Sequence, residues 1–343
     1  CARFAHKLCA QRHAAFFDKR MKAPAKILTA AAAVFTGTGL CELCYAGAPE
    51  RHTGALTREA LQGTTYAHFA DEVLAGADWI ARQERQTLRV MSYDKKRLTA
   101  DFLPCERAVG TILLFHGYRS CAQYDFAAYA QFLHEQGYNL LLCTQRAHGA
   151  SGGSFITFGA RERYDVLSWV TYLAQMLGLD HPLYLMGVSM GATSVLLASC
   201  FEFPANIRGI IADCGFTSPD AILRHVARQR FPHLPAGAAL APMRVLAPVL
   251  AGYRLAGCST LAALRAADYP VLFIHGEADT FVPCRMSEEG YLACRTEKEL
   301  LRIPGARHAQ SALVAPERVL PAVAGFLKNH LQQQEATSCS TKY

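Results

Sequence analysis

Two hydrophobic periodicities alternate along most of this chain. Residues 109–115 form a nearly continuous apolar run, the pattern of a strand covered on both faces. Residues 125–136 carry helical spacing, 138–143 read as a strand, and 159–177 predict a long helix bearing Tyr164, Leu167, Trp169, Val170 and Leu173. A strand leading into Gly187 comes next, followed by a helix of small and aliphatic residues and a strand over 207–214. Residues 269–275 and 299–303 predict two more strands, and 316–331 a closing helix. Ahead of this rhythm, 57–85 suggests one or two helices. Residues 86–92 and 97–103 alternate like two antiparallel strands around the turn Asp94-Lys95-Lys96. Strand–helix alternation of this kind implies the α/β class, with a mostly parallel sheet and right-handed crossovers.

One segment breaks the pattern. Residues 219–267 contain no strand signal but carry Pro232, Pro235, Pro242 and Pro248 among runs of Ala, Leu, Val and Met. A helical insertion at the carboxyl end of a strand lies where parallel sheets place their ligands, so it reads as a lid, or else as a surface helical pair. Residues 1–48 also differ from the rest. Basic residues (Arg3, Lys7, Arg12, Lys19, Arg20, Lys22, Lys26) precede an apolar stretch over 27–35, and Ala46-Gly47-Ala48 follows. Read from Met21, this resembles a signal peptide; the alternatives are an uncleaved membrane anchor and an amphipathic helix. A cytoplasmic location is favoured over an anchored or exported one. The expected organisation is therefore 1–48, a body over 49–331 with its insertion at about 219–267, and a polar, frayed tail over 332–343.

The composition narrows the options. Of 343 residues, 51% are hydrophobic and 18% charged, which excludes wholesale disorder. The formal charge of +7 is concentrated near the N-terminus, and no basic stripe interleaved with aromatics argues for nucleic acid. Thirteen cysteines, odd in number and scattered, read as reduced thiols rather than a disulfide scaffold. Cys41 and Cys44 form a lone C-x-x-C with no second pair and no nearby His pair, so neither a metal nor another cofactor is expected.

The candidate chemistry centres on Gly187-Val188-Ser189-Met190-Gly191. A strand before G-x-S-x-G and a helix after it is the context of a nucleophile elbow, with Ser189 forced out of the turn. The helix N-terminus beneath it supplies N–H groups and partial positive charge for an oxyanion. A serine hydroxyl needs a base, and the base needs an orienting group. His116, His148 and His275 each precede a glycine in turns after strands, where a structural role is at least as expected. His308 lies on a glycine-containing loop after the last strand, on the same rim as Ser189. Glu277 and Asp279 both sit on the loop after the preceding strand, and either also reads as a cap. Met190 would supply one oxyanion N–H and Tyr118, on the loop after the first buried strand, the other. Asp213 reads as a turn or cap, or as support behind the site.

Taken together, the segments Leu114-Phe115-His116-Gly117-Tyr118, Gln145 to Gly153, Ile156 to Gly159 with Tyr164 to Trp169, Gly187 to Gly191, Asp213 to Pro219, His275 to Pro283 and Gly305 to His308 resemble the α/β-hydrolase superfamily. Within it they resemble the bacterial lidded serine hydrolases that share the serine aminopeptidase S33 profile. The resemblance implies an α/β-hydrolase fold: a mostly parallel eight-stranded sheet flanked by helices, with a helical lid. It also implies Ser189 as nucleophile, Asp279 rather than Glu277 as acid, and His308 as base. Ala147 departs from the pattern, standing where relatives usually have glycine. The expected activity is hydrolysis of a small-molecule carboxylic ester through an acyl-enzyme. An amidase or peptidase on the same triad and a non-catalytic binding module on the same scaffold are the rivals. The fold hosts many substrates, so neither the acyl group nor the oligomeric state follows.

Overall fold

The computed structural model describes residues 36–37, 46–51 and 56–340, with side chains up to Leu331. The basic and apolar stretch before residue 36 and the Cys41–Cys44 pair lie outside the described residues. Eight strands form one sheet: β1 (Gln86–Met91), β2 (Arg97–Leu103), β3 (Gly110–Phe115), β4 (Tyr138–Thr144), β5 (Leu183–Val188), β6 (Ile207–Asp213), β7 (Val271–Gly276) and β8 (Lys298–Ile303). Their order is β1-β2-β4-β3-β5-β6-β7-β8. β2 runs antiparallel to both β1 and β4, and every pairing from β4 through β8 is parallel. This is the eight-stranded, mostly parallel sheet expected from the alternating runs.

The helices used below are α1 (Ala70–Arg82), α2 (Glu162–Leu177), α3 (Met190–Ala198), α4 (Pro219–Arg230), α5 (Ala241–Leu250), α6 (Thr260–Ala266), α7 (Arg285–Ala293) and α8 (Pro316–Ser340). Every residue of β3, β5 and β7 is buried, because helices cover both faces of the sheet. Alternate side chains divide between the two layers. Ile112, Leu114, Tyr184 and Met186 pack with Phe326 of α8 on one face. Leu113, Phe115, Leu183 and Leu185 pack with Trp169 of α2 and Val195 of α3 on the other. Each such fully buried aliphatic side chain contributes about 1.5–3 kcal/mol, so the two cores together hold the strand ends in register.

Several boundaries differ from the expectation for physical reasons. The helix expected over 125–136 is two short ones, Ala122–Asp125 and Ala130–Glu135, because the Asp125 side chain turns inward to bind a neighbouring loop. α2 begins at Glu162, after Gly159 at φ +92°, and the Glu162 carboxylate accepts the Thr157 and Gly159 amides. α8 continues to Ser340 through residues expected to fray; the Gln, Glu and Ala there are good helix formers. Helix α7 had no expectation behind it. The strand-free stretch between β6 and β7 contains α4, a turn of helix at Ala236–Ala239, α5 and α6. The eight described cysteines are all free thiols. Among the described residues, no helix is long and apolar enough to cross a membrane.

Candidate active site

Ser189 occupies the turn between β5 and α3 at φ +55° and ψ −113°, a backbone region that a side chain enters only under strain. The flanking glycines explain how the strain is tolerated. A Cβ on Gly187 would lie far inside contact distance of the Ala192 amide, and one on Gly191 would overlap the Phe115 carbonyl. Strand, turn and helix therefore close on one another only with hydrogens at these two positions. The turn is also tied down by the Ser189 amide, which donates to Asp213 O at 2.8 Å, and by Thr193 N, which donates to Ser189 O at 3.0 Å.

Across the rim, the loops after β7 and β8 bring two further side chains to Ser189. His308 Nε2 stands 2.9 Å from Ser189 Oγ. His308 Nδ1 stands 2.7 Å from Asp279 Oδ2. An ionised carboxylate only accepts, so Nδ1 carries the proton and the Nε2 lone pair faces the serine hydroxyl. The other Asp279 oxygen accepts the Phe281 amide at 2.9 Å and the Val282 amide at 2.8 Å. Burial would raise the Asp279 carboxyl, but hydrogen bonds from His275 and His308 outweigh it and hold the group well below the usual carboxylate range. The Phe281 ring stands edge-on to the His308 imidazole, with centroids 4.9 Å apart.

The structure separates the two candidate acids. Glu277 points to the surface, 3.6 Å from Arg302, whereas Asp279 is buried against His308. His275 Nε2 lies between two acceptors, 3.3 Å from Asp279 Oδ2 and 2.8 Å from Val282 O, and its Nδ1 is 2.6 Å from Ser287 Oγ, so this ring backs the carboxylate on the side away from Ser189. Asp213 stays behind the site, accepting the Tyr129 hydroxyl at 2.8 Å and the Ser311 hydroxyl at 3.1 Å. Burial raises its pKa to about 6.

The loop after β3, which carries Tyr118, borders the serine. A Cβ on Gly117 would lie 3.4 Å from Ser189 Cβ. On either side of Tyr118 a backbone amide is held by a side chain. Gly117 N donates to Asp125 Oδ2 at 2.5 Å, and Arg119 N donates to His148 Nε2 at 3.1 Å. Asp125 also accepts the hydroxyls of Ser120 at 2.5 Å and Tyr66 at 2.7 Å. His116 and His148 pack at 4.8 Å, and each ring uses Nδ1 on a backbone carbonyl, Gly117 O and Arg146 O respectively. That leaves each Nε2 to accept an amide, from Gln145 at 3.1 Å and from Arg119. Burial lowers the pKa of both, His148 to about 3, so both are neutral supports. Sequence reasoning assigned no role to Asp125, because its partners lie on a loop and on a segment 59 residues away.

Beside Ser189 opens a cleft of about 790 Å³. Its walls come from Glu50, from residues between 56 and 85, from the loop 116–125, Thr144, residues 148–150, Val188, Phe281 and Ala309. None of the lining residues belongs to 219–267. The apolar side chains of that insertion divide among a small cluster of its own with Leu240, a cluster shared with Met190 that buries Met243, and solvent, where Val245 is 58% and Val249 79% exposed. Residues that precede β1 contribute to the cleft and to the loop beside it. Ala46 O accepts the Tyr118 hydroxyl at 2.8 Å, the Glu50 backbone pairs with the chain on either side of His148, donating to Ala147 O at 2.7 Å and accepting Gly149 N at 2.8 Å, and Leu56, Ala60 and Tyr66 line the cleft.

Residues 106–244 match the family model described as serine aminopeptidase, S33. The match includes Ser189 and ends before Asp279 and His308. The chain is 29% identical over 219 residues to the uncharacterized protein YqkD of Bacillus subtilis, covering 64% of this chain and 71% of that one. It is 25% identical over 254 residues to the uncharacterized protein YfhR of Escherichia coli K12, covering 71% and 79%. Among solved structures it superimposes on the Pyrococcus furiosus esterase Pf2001 with a TM-score of 0.61 at 23% identity, over 82% of this chain and 97% of that one. Est1E of Butyrivibrio proteoclasticus, solved with ferulic acid bound, gives 0.53 at 21% identity, over 71% and 98%.

Proposed function

We propose, from the premise that this chain has the α/β-hydrolase fold, that it is a serine hydrolase cleaving a carboxylic ester through an acyl-enzyme. The observation that carries the reading is the continuous chain of hydrogen bonds from Ser189 Oγ through His308 to Asp279. Ser189 attacks the carbonyl carbon as His308 Nε2 takes its proton. The C–O bond to the alcohol then breaks, and the imidazolium returns the proton to the leaving oxygen. Water, deprotonated by His308, then attacks the acyl carbon, the bond to Ser189 Oγ breaks to release the acid, and His308 returns the proton to Oγ. Asp279 keeps the proton of His308 on Nδ1 and balances the charge that the ring gains. The N–H groups of Met190 and Tyr118 receive the oxyanion, Met190 as the first residue of α3 and Tyr118 from a loop pinned on both sides.

Leu56, Tyr66, Tyr118, Tyr124, Val188 and Phe281 line the cleft, which favours an ester with an apolar or aromatic group. The insertion over 219–267 is then a support for the Met190 side of the site, with Met243 and Ile222 packed in the same cluster as Met190 and Val282, rather than the wall that selects substrate. Ser189→Ala should lower p-nitrophenyl ester turnover by about 10³–10⁶-fold and abolish labelling by a fluorophosphonate. Turnover equal to that of the unaltered protein would refute the assignment. A peptidase on the same residues has one observation in its favour, the presence of the acidic residue Glu50 among those lining the cleft, since a substrate amine would need an acid. Arg85 and Arg119 line the same cleft and oppose it. Parallel assays with esters and aminoacyl arylamides separate the two.

A further inference from the structure

The N-terminal segment does more than wall the cleft, because it grips the loop that carries the base. Thr65 Oγ1 donates to the His308 carbonyl at 2.5 Å. In return the Gln310 side-chain amide donates to the Thr65 carbonyl. Gln310 Oε1 accepts the Arg307 amide at 3.3 Å, so the clasp closes on both sides of His308. Gln310 is buried, which strengthens these bonds by excluding water. Between them, Ala309 has φ +56°, a left-handed conformation that an alanine holds only when its surroundings fix it.

We infer that Thr65 is a positioning residue for the reaction: through the His308 carbonyl it sets the distance and angle of the imidazole to Ser189. This rests on His308 acting as the base. A loop with a left-handed residue next to the base has other backbone conformations within reach, and the clasp selects one. Small errors in the placement of a proton acceptor are felt most in the transition state, so the loss falls on kcat.

The test compares Thr65→Val, which removes the donor at nearly constant volume, with Thr65→Ser, which keeps it. The readouts are kcat and KM for a p-nitrophenyl ester, the rate of fluorophosphonate labelling, and the melting temperature. For Thr65→Val, kcat falls about 10- to 100-fold, KM stays within about threefold, and the labelling rate falls in parallel. Thr65→Ser recovers kcat to within about threefold of the unaltered protein. Should Thr65→Val fail to fold, Gln310→Leu opens the same clasp from the other side and should show the same loss in kcat at unchanged KM. A lowered melting temperature with kcat unchanged, or an equal loss in the serine and valine variants, overturns the inference and assigns Thr65 to packing alone. An unaltered protein that neither hydrolyses esters nor takes the label overturns the reading of His308 instead.

Discussion

Asp125 reaches back eight residues to accept the Gly117 amide at 2.5 Å, and the same carboxylate holds the hydroxyls of Ser120 and Tyr66. A buried carboxylate with three donors fixes the loop beside Ser189 in one geometry. Asp125→Ala would leave those donors unsatisfied, at about 1–3 kcal/mol each, and free the peptide that presents Tyr118. The expected result is a lower melting temperature together with a fall in kcat of about 10- to 100-fold. Ester kinetics and a thermal melt on the same preparation check both parts, and a destabilised variant with full turnover would remove Asp125 from the oxyanion loop.

Asp279 gives a second expectation. Asparagine at this position keeps the size of the side chain but offers an N–H or a neutral oxygen to His308 Nδ1. Asp279→Asn should therefore fold, since the Phe281 and Val282 amides can still find an acceptor, yet lose about 10³–10⁴-fold in kcat through loss of the imidazolium's counter-charge. Circular dichroism beside steady-state kinetics distinguishes this from simple unfolding. Glu277→Gln, at the surface beside Arg302, should leave turnover within about twofold.

Acid should weaken the protein through the buried histidine pair. Burial lowers the His148 pKa from 6.5 to about 3, and His116 is lowered in the same direction. The unfolded chain therefore binds more protons than the folded one between those values. The stability contributed by His148 is fully present above about pH 6.5 and is lost progressively as pH falls towards 3, and His116 adds to the loss in the same direction. Protonation would also set an N–H of His148 against the Arg119 amide that it now accepts. Urea unfolding at pH 7 and pH 5 should show the loss, and His148→Gln, which carries no titrating group, should flatten it.

The elbow glycines predict a stability effect without any change of chemistry at Ser189. Gly191→Ala drives a methyl group into the Phe115 and His116 carbonyls, both backbone atoms of a buried strand end. The cost should exceed about 3 kcal/mol, at the upper end of overpacking losses. Gly305→Ala meets no neighbouring atom, but its φ of +75° makes it strained, so a smaller loss of about 1 kcal/mol is expected. Denaturant melts of the two variants check the order, and a Gly191→Ala variant as stable as Gly305→Ala would contradict the close approach.

The sequence alone determined the strand–helix rhythm, the sheet it builds and the position of Ser189, because these depend on local period and on glycines within a few residues of each other. It also narrowed the partners of Ser189 to the loops after the last two strands. Which of Glu277 and Asp279 lies against His308 could not be read from the sequence without a family resemblance, since two carboxylates two residues apart on one loop differ only in which way they face. What walls the cleft was decided by tertiary structure. The apolar insertion reads in the sequence as the substrate's cover, and the lining of the cleft by Leu56, Thr65 and Tyr66, far ahead of the elbow, has no counterpart in that reading. Asp125, His148, Thr65 and Gln310 left no trace in any periodicity, because each acts through hydrogen bonds to particular groups on other loops rather than through repeated apolar burial. Apolar burial repeats along an element and can be read there, whereas a single polar contact between distant loops exists only once the sheet has brought their ends together.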